Sequence, residues 1–385
     1  MWDVIVVGAG PAGCHAARML GCRGWRVLLV DKSRFPRWKP CAGAITVKAE
    51  PYYPRELRGL IEHVVAEAVL SCGADRSTRV CVERPVGWLV HRETFDKAHF
   101  ELASATAGVE VIEGCRVTSV HETPEEVTVE ASSGSFRGRV VIGADGASSV
   151  VSEAVRDPAG RSFSVAFEGE ARYSTGVERP ALRFDFAHFP SGYGWVFPKA
   201  QHCSVGGGAF APPAPHLKAC YETLCAGTAD IRACETYRTR GFLVPQGGTR
   251  QRLNGRRTLL VGDAADTVDP VTGEGIAYAF RSAHLASQAV HCFLESSVPL
   301  DGYTRQIARE MHSEFRIAGR LARWLYSDPA RGYEVLFRNE LLCRWFVEVL
   351  RGELTYKRLL WRAALRLPRL RRWRGGEAHL RFDYP

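Results

Sequence analysis

Gly8, Gly10 and Gly13 stand in the spacing Gly-x-Gly-x-x-Gly, with Ala9, Pro11 and Ala12 between them. Each glycine has a chemical use. Gly8 permits a tight turn, Gly10 lets the backbone approach a pyrophosphate with no side chain in the way, and Gly13 lets the following helix pack close on a sheet. The N-terminus of that helix, around Pro11 and Ala12, offers unpaired N–H groups to phosphate oxygens. Asp31, followed by Lys32, accepts hydrogen bonds from a ribose 2′-hydroxyl and repels a 2′-phosphate. The elements that hold these groups lie on either side: the apolar run Val4–Val7 precedes the turn, and Arg26–Val30 ends at Asp31. Strand, glycine turn, helix, strand and acid make one βαβ unit for a dinucleotide.

Two further segments decide between NAD and FAD. Thr258–Val261 reads as a strand, and Gly262-Asp263-Ala264-Ala265-Asp266 turns away from its end. Gly273-Glu274-Gly275-Ile276 then opens a helix through Ala277, Ala279, Ala283, Leu285 and Ala286. A carboxylate at a strand end and a glycine turn into a helix suit a second anionic part of one long cofactor. The helix dipole starting near Gly275 favours the negative charge of a reduced isoalloxazine. Val141-Ile142-Gly143-Ala144-Asp145-Gly146 is a third strand meeting a Gly/Asp turn. A nicotinamide dehydrogenase has no use for so distant a second element, so FAD is the expected cofactor. In order and spacing the three segments resemble the flavin motifs of the para-hydroxybenzoate hydroxylase superfamily.

At 385 residues, 46% of them hydrophobic, the chain is long enough for two packed domains. It has no run of about eighteen apolar residues, so no membrane-spanning helix is expected. Met1-Trp2-Asp3 runs straight into the first strand and leaves no room for a signal peptide, which points to a cytoplasmic protein. The twelve cysteines are scattered, with neither a CxxC pair nor metal-ligand spacing, and read as free thiols. The net charge of +9 is unevenly placed. Between Arg351 and Arg374, the cations Arg351, Lys357, Arg358, Arg362, Arg366, Arg369, Arg371, Arg372 and Arg374 face one acid, Glu353. Leu354, Leu359, Leu360, Trp361, Leu365, Leu367 and Trp373 interleave with them. The segment is either a solvated helix face docked on the body of the protein or a basic surface peripheral on anionic lipid. No nucleic-acid module accompanies it, so no nucleic-acid partner is expected.

Ser33–Pro54 reads as loop, and a helix begins at Glu93 or Thr94 and runs to Ala105. Val109–Val120 and Val127–Val141 read as strands returning to the cofactor domain, with Val117 among the expected cofactor contacts. Between Arg161 and Val244 the runs Phe163-Val165-Phe167, Leu182-Phe184-Phe186, Trp195-Phe197 and Cys203-Val205 alternate, which predicts an antiparallel sheet with a helix around 217–225. From Asp301 to about Leu367, Ile307, Met311, Phe315, Ala318, Leu321 and Leu325 recur at helical spacing.

Gly192-Tyr193-Gly194-Trp195-Val196-Phe197-Pro198-Lys199, followed by Val205-Gly206-Gly207-Gly208, resembles the YxWxFPK signature of geranylgeranyl reductases. Lys39-Pro40-Cys41-Ala42-Gly43-Ala44-Ile45 resembles the KPCGGAI loop of that family, particularly of its chlorophyll-synthesising members, with Ala42 in place of the second glycine. The resemblance covers residues 2 to about 290 and stops near Leu300. It implies an α/β and α+β fold: a Rossmann-like FAD-binding domain (1–160 with 253–300, residues 60–90 partly in the substrate domain), an inserted antiparallel-sheet substrate domain (161–252), and a helical, basic C-terminal region (301–385). It also implies hydride transfer from reduced flavin to isolated prenyl double bonds. The loop context places Cys41, Ala42 and Gly43 beside the flavin, Cys41 as a weak acid or a shape-setting contact, simple packing being the other reading. The family pattern sets Arg92 against the ribityl–phosphate portion.

Tyr193, Trp195 and Phe197 share one strand face. They are either core packing or an aromatic wall for a prenyl chain, Tyr193 and Trp195 being the catalytic candidates. The expected cofactor-binding set is Gly8, Gly10, Pro11, Ala12, Gly13, Asp31, Lys32, Cys41, Ala42, Gly43, Arg92, Val117, Asp145, Asp263, Gly273, Gly275 and Ile276, with no metal. Lys199 ends the strand, either as a cation that neutralises a phosphate or phenol or as an ordinary exposed lysine, and His91 and His202 have no evident partner. Three function classes follow: a flavin-dependent reductase of a hydrophobic prenyl-bearing small molecule, a flavin monooxygenase of the same fold, and a non-enzymatic electron-transfer flavoprotein. The PCxGAI and YxWxFPK segments favour the first, its electrons coming from NAD(P)H, another reductant or an electron-donor protein.

Overall fold

The first βαβ unit forms as its pattern dictates: β1 (Trp2–Val7), α1 (Pro11–Gly21) and β2 (Val27–Val30), with Val4–Val7 and all of β2 buried. Ala12, Ala16, Ala17 and Leu20 seat α1 against these strands. The computed structural model describes residues 1–73, 75–174, 176, 181–210, 216–229, 231–366 and 378–382, the side chains of 232–237 and 378 excepted.

Ser33–Pro54 is not all loop: it contains β3 (Ala44–Thr46) and a 3-10 turn at Val47–Ala49. Next come β4 (Ile61–Val65), β5 (Glu67–Ser71), β6 (Ser77–Val82) and β7 (Gly87–Val90). β3, β7 and β4 form a small antiparallel sheet. β3 is too short to show alternation of its own, and its partner lies far along the chain. α2 (Arg92–Ser104) follows, and then β8 (Val109–Ile112), β9 (Val117–Glu122), β10 (Val127–Ala131), β11 (Gly134–Gly143) and α3 (Val150–Glu153).

The middle of the chain supplies β12 (Phe163–Tyr173), β13 (Arg183–Asp185), β14 (Gly192–Pro198), β15 (His202–Ala209), α4 (Leu217–Ala226) and β16 (Ile231–Pro245). It then returns to the first sheet through β17 (Thr258–Leu260) and α5 (Ile276–Ser296). That sheet runs β8-β2-β1-β11-β10-β9, with β17 parallel to β11. Since β1, β11 and β17 are parallel neighbours, the three Gly/Asp turns leave the same edge.

Beyond it lie α6 (Gly302–Ile307), α7 (Ser313–Ser327), α8 (Pro329–Leu336), α9 (Glu340–Arg351) and α10 (Tyr356–Arg366). Their limits follow from local chemistry. Asp328 accepts the Arg331 N–H ahead of Pro329, Asn339 caps α9 through the Leu342 N–H, and Gly352 ends it at φ +76°. The C-terminal region is not helical alone: β18 (Ala378–Phe382) pairs in parallel with β6. The second large sheet therefore runs β16-β12-β15-β14-β13-β5-β6-β18. On β14, Tyr193, Trp195 and Phe197 join Tyr326, Tyr333, Phe337 and Trp345 of the C-terminal helices in one core. Val196, on the opposite face, packs with Phe189 and Leu224.

Leu367, Arg369, Arg371, Arg372, Trp373 and Arg374 lie outside the described residues. Among the described residues no helix is long and apolar enough to cross a membrane, and the cysteines are free thiols.

Candidate active site

Two of the three motif glycines are demanded by the protein itself. Gly8 adopts φ +100°, and a Cβ there would stand 2.4 Å from the Ala144 carbonyl oxygen. A Cβ on Gly13 would lie 1.8 Å from the Gly8 carbonyl oxygen. Gly10 is different. It caps α1 at φ −78°, ψ −174°, a conformation open to any residue, and the nearest atom to an added Cβ is Arg37 Nη2 at 3.9 Å. No protein atom needs the space beside Gly10, at the N-terminus of α1, which fits a pyrophosphate seated there.

The Asp31 carboxylate is fixed by the Ala9 N–H at 2.6 Å and the Ser33 N–H at 2.7 Å. Each oxygen keeps a second lone pair for a ribose hydroxyl. Lys32 beside it is exposed, and Val117 is buried at the start of β9. Asp145 serves the fold: Ser149 Oγ donates to Oδ1 at 2.5 Å and the Val150 N–H to Oδ2 at 2.8 Å, at the start of α3. Burial, opposed by these bonds, raises its carboxyl above the usual range.

Beside α1, Gly262 turns at φ +58°, where a Cβ would stand 3.2 Å from Ala12 Cβ, and the Lys39 ammonium stands 4.0 Å from the Asp263 carboxylate. Gly273, at φ +66°, and Gly275 lead into α5, whose first residue, Ile276, is buried. Three tyrosines hold the loop before it. Tyr193 O–H donates to the Thr272 carbonyl, Tyr326 O–H to the Val271 carbonyl, and Tyr356 O–H to the Asp269 carboxylate at 2.9 and 3.0 Å. The aromatic face of β14 is thus bonded directly to the glycine turn.

Arg92 is buried and grips Asp96 with two bonds, of 2.9 and 2.8 Å; Arg37 reaches the same carboxylate at 3.0 Å. Burial opposes both charges. Asp96, and after it Cys41, nevertheless hold the Arg92 guanidinium above its ordinary value, and Arg92 holds Asp96 below its own. Cys41 Sγ accepts the Gly43 N–H at 3.4 Å. Gly43 stands at φ +70°, where a Cβ would meet the Val90 carbonyl oxygen at 2.1 Å and Lys199 Nζ at 2.4 Å.

That lysine overturns its sequence reading. Lys199 is 2% exposed, and Nζ donates to the Ala42 carbonyl at 2.7 Å and the Val90 carbonyl at 2.6 Å. Its ammonium interacts with the buried Glu168 carboxylate, whose Oε1 accepts the Ser204 hydroxyl at 2.6 Å; Trp195 Nε1 donates to that hydroxyl at 3.2 Å. Burial pushes Glu168 up to about 7 and draws Lys199 down. A usable signal was present: Glu168 and Glu170 stand two positions apart on one strand and so share a face. His91 and His202 are not partnerless either, since both reach Glu170.

Cys41, Arg92, Lys39, Lys199, Glu168, Glu170, His91 and His202 share one cleft. Gly273 lies beside Tyr193, whose hydroxyl oxygen a Cβ there would meet at 3.6 Å, whereas Gly275 lies by Asp263.

Residues 3–239 match the FAD dependent oxidoreductase family. Over 317 residues the chain is 33% identical to the geranylgeranyl diphosphate reductase of Rhodobacter capsulatus, a match covering 78% of each chain. It is 28% identical to the menaquinone reductase of Mycobacterium tuberculosis, across 97% of this chain and 95% of that one. A solved structure of a geranylgeranyl bacteriochlorophyll reductase-like protein from Thermoplasma acidophilum aligns with a TM-score of 0.74 at 22% identity, covering 95% of this chain and 96% of that one. The open space at Gly10, the paired glycine turns and these matches agree: FAD is the cofactor, and the chain belongs to the geranylgeranyl reductase family of FAD-dependent oxidoreductases.

Proposed function

We propose that the protein hydrogenates C=C bonds of a geranylgeranyl-type chain carried by a lipid, a quinone or a chlorophyll-like molecule. The observation that carries this reading is the bond from Tyr193 to the Thr272 carbonyl, which brings a continuous aromatic face up to the glycine turn of the FAD site. Two of the similar proteins are named for geranylgeranyl diphosphate and menaquinone, which supports the substrate class. In this reading residues 1–160 and 253–300 hold FAD, 161–252 form the substrate wall, and 301–385 cover it.

Bound FAD, once reduced by NAD(P)H, another reductant or a donor protein, supplies the hydride. The chain does the rest. Tyr193, Phe210 and Tyr326 stack at centroid distances of 5.4 and 5.1 Å beside Gly273 and keep water from the alkene. Arg92 and Lys199 fix the loop that carries Cys41, and the Cys41 thiol gives the proton to the second carbon. Anaerobic incubation of reduced enzyme with a geranylgeranyl-bearing lipid is expected to add two hydrogens per double bond by mass spectrometry. Incorporation of oxygen with consumption of O2 would make the protein a monooxygenase instead.

Cys41→Ala and Cys41→Ser are expected to keep their flavin and lose reduction by about 100-fold or more, the usual worth of a positioned acid. Full activity in both would return Cys41 to simple packing.

The outer face of α10 is the surface that meets anionic lipid. Trp361 is 65% and Leu365 63% exposed, with Leu360, Lys357, Arg358 and Arg366 around them. Tyr356 and Leu359 anchor the inner face. Arg351 does not share in this surface, because it donates to the Arg84 and Pro85 carbonyls. The protein should pellet with phosphatidylglycerol vesicles and come off as salt rises. Lys357→Glu, Arg358→Glu and Arg366→Glu together should abolish pelleting at unchanged flavin absorbance, each cation being worth about 1 kcal/mol near such a surface. Equal partition onto neutral vesicles would assign α10 to an ordinary solvated face.

A further inference from the structure

His91, Glu170 and His202 come from three separate elements. His91 joins β7 to α2, Glu170 lies on β12 and His202 opens β15. One donor atom from each lies within 4.8 Å of the other two. His91 Nε2 and His202 Nε2 stand 3.2 and 3.9 Å from the same oxygen, Glu170 Oε1. Around one small cation with bonds of about 2.0–2.2 Å, tetrahedral neighbours stand about 3.4 Å apart.

Three details separate this group from an ordinary ion pair. His202 Nε2 is buried and makes no hydrogen bond, and 3.9 Å to the carboxylate is beyond hydrogen-bond reach. A buried ring nitrogen left this way calls for an explanation. His91 Nδ1 lies 3.1 Å from Thr94 Oγ1. With its Nδ1 proton given to Thr94, the ring is fixed and Nε2 carries the lone pair, the arrangement that orients metal-binding imidazoles. The carboxylate is oriented too, since Trp38 Nε1 donates to Glu170 Oε1 at 3.3 Å.

We propose that His91, Glu170 and His202 form a binding site for a divalent late first-row cation, zinc in the first instance, with the fourth position open to the cleft shared with Cys41 and Glu168. Two imidazoles and one carboxylate are a borderline donor set of the kind zinc takes. The nearby cations are already balanced, Lys199 by Glu168 and Arg92 by Asp96. Glu168 Oε2, buried and without a hydrogen bond, lines the same cleft. The ion ties β12 and β15 to the residue before Arg92, and so clamps the sheet that holds them to α2.

The test uses the full chain with FAD bound, stripped with EDTA, dialysed and titrated with Zn2+ against a chromophoric chelator. A single equivalent held at micromolar affinity or tighter is expected, with a zinc-dependent rise in melting temperature. Zinc K-edge absorption should show nitrogen and oxygen at about 2.0 Å with imidazole scattering, and no sulfur at about 2.3 Å. His202→Gln and Glu170→Gln should each cut affinity on the order of 100-fold while flavin absorbance is retained. Thr94→Ala, which removes the exposed hydroxyl bonded to His91 Nδ1, should cut it about tenfold, and serves if either of the others fails to fold. Zinc lost to the chelator, affinity unchanged in the variants, or a sulfur shell from the scattered thiols would each overturn the site and leave a hydrogen-bonded cluster.

Discussion

Gly10→Leu yields a folded protein that purifies without flavin. Gly10 already has the backbone of an ordinary residue, and its missing Cβ faces nothing nearer than Arg37 Nη2 at 3.9 Å. The leucine side chain therefore costs the apoprotein little, and its melting temperature should match that of wild-type apoprotein. The same side chain fills the space at the start of α1 where a pyrophosphate would accept backbone N–H bonds. Two such charge-assisted bonds are worth about 3–6 kcal/mol. A loss of about 4 kcal/mol raises the Kd for FAD about a thousandfold, read by flavin fluorescence titration. Gly13→Leu fails differently: its Cβ would lie 1.8 Å from a carbonyl oxygen, so the turn itself cannot form. A yellow Gly10→Leu protein with native absorbance would remove α1 as the phosphate site.

Lys199→Met is the second large effect. The methionine fills the methylene space but leaves the Ala42 and Val90 carbonyls without their donor, at about 1–3 kcal/mol each. It also leaves Glu168 buried without a counter-charge. A fall of about 3 kcal/mol in urea unfolding is expected, together with lost reduction, since the loop carrying Cys41 is no longer held. Lys199→Arg should not rescue it, because Nζ already stands 2.4 Å from the position of a Gly43 Cβ. Adding Glu168→Gln to Lys199→Met should recover part of the loss, a coupling of about 0.5–3 kcal/mol for a true pair. Strict additivity would mean that the two side chains do not sense each other.

The parts of the site legible from sequence are those whose chemistry is written in consecutive residues. Gly8–Gly13, Asp31 and Gly273–Ile276 carry turn, dipole and acid within a few positions each. Tyr193, Trp195 and Phe197 share a face because a strand alternates, whatever it packs against. Lys199 could not be read this way. A lysine at a strand end is normally exposed, and here it is buried by carbonyls at 42 and 90 and an acid at 168, brought in by three other elements. His202 comes to Glu170 only because β15 pairs with β12, and His91 reaches the same carboxylate from the junction of β7 and α2. Of the basic run from Arg351, pattern alone could not show that Arg351 is spent on two backbone carbonyls and Arg362 on Glu348, while Lys357, Arg358 and Arg366 stay exposed. β18 escaped for a similar reason: five residues whose partner strand is β6 show no local sign of their destination.

That last strand has a consequence for how the protein comes off the ribosome. β6 and β18 pair in parallel although residues 83–377, about three quarters of the chain, lie between them, so this pairing closes a very long loop and forms late. Until residues 378–382 have emerged, β6 is an unguarded border of the large sheet, with N–H and C=O groups free to recruit a strand from another molecule. Each nascent chain thus passes through a stage in which the large sheet is otherwise assembled yet adhesive. Damage to β18, or a bulky fusion set against it, should show first as poor yield and inclusion bodies, while the molecules that do mature remain yellow.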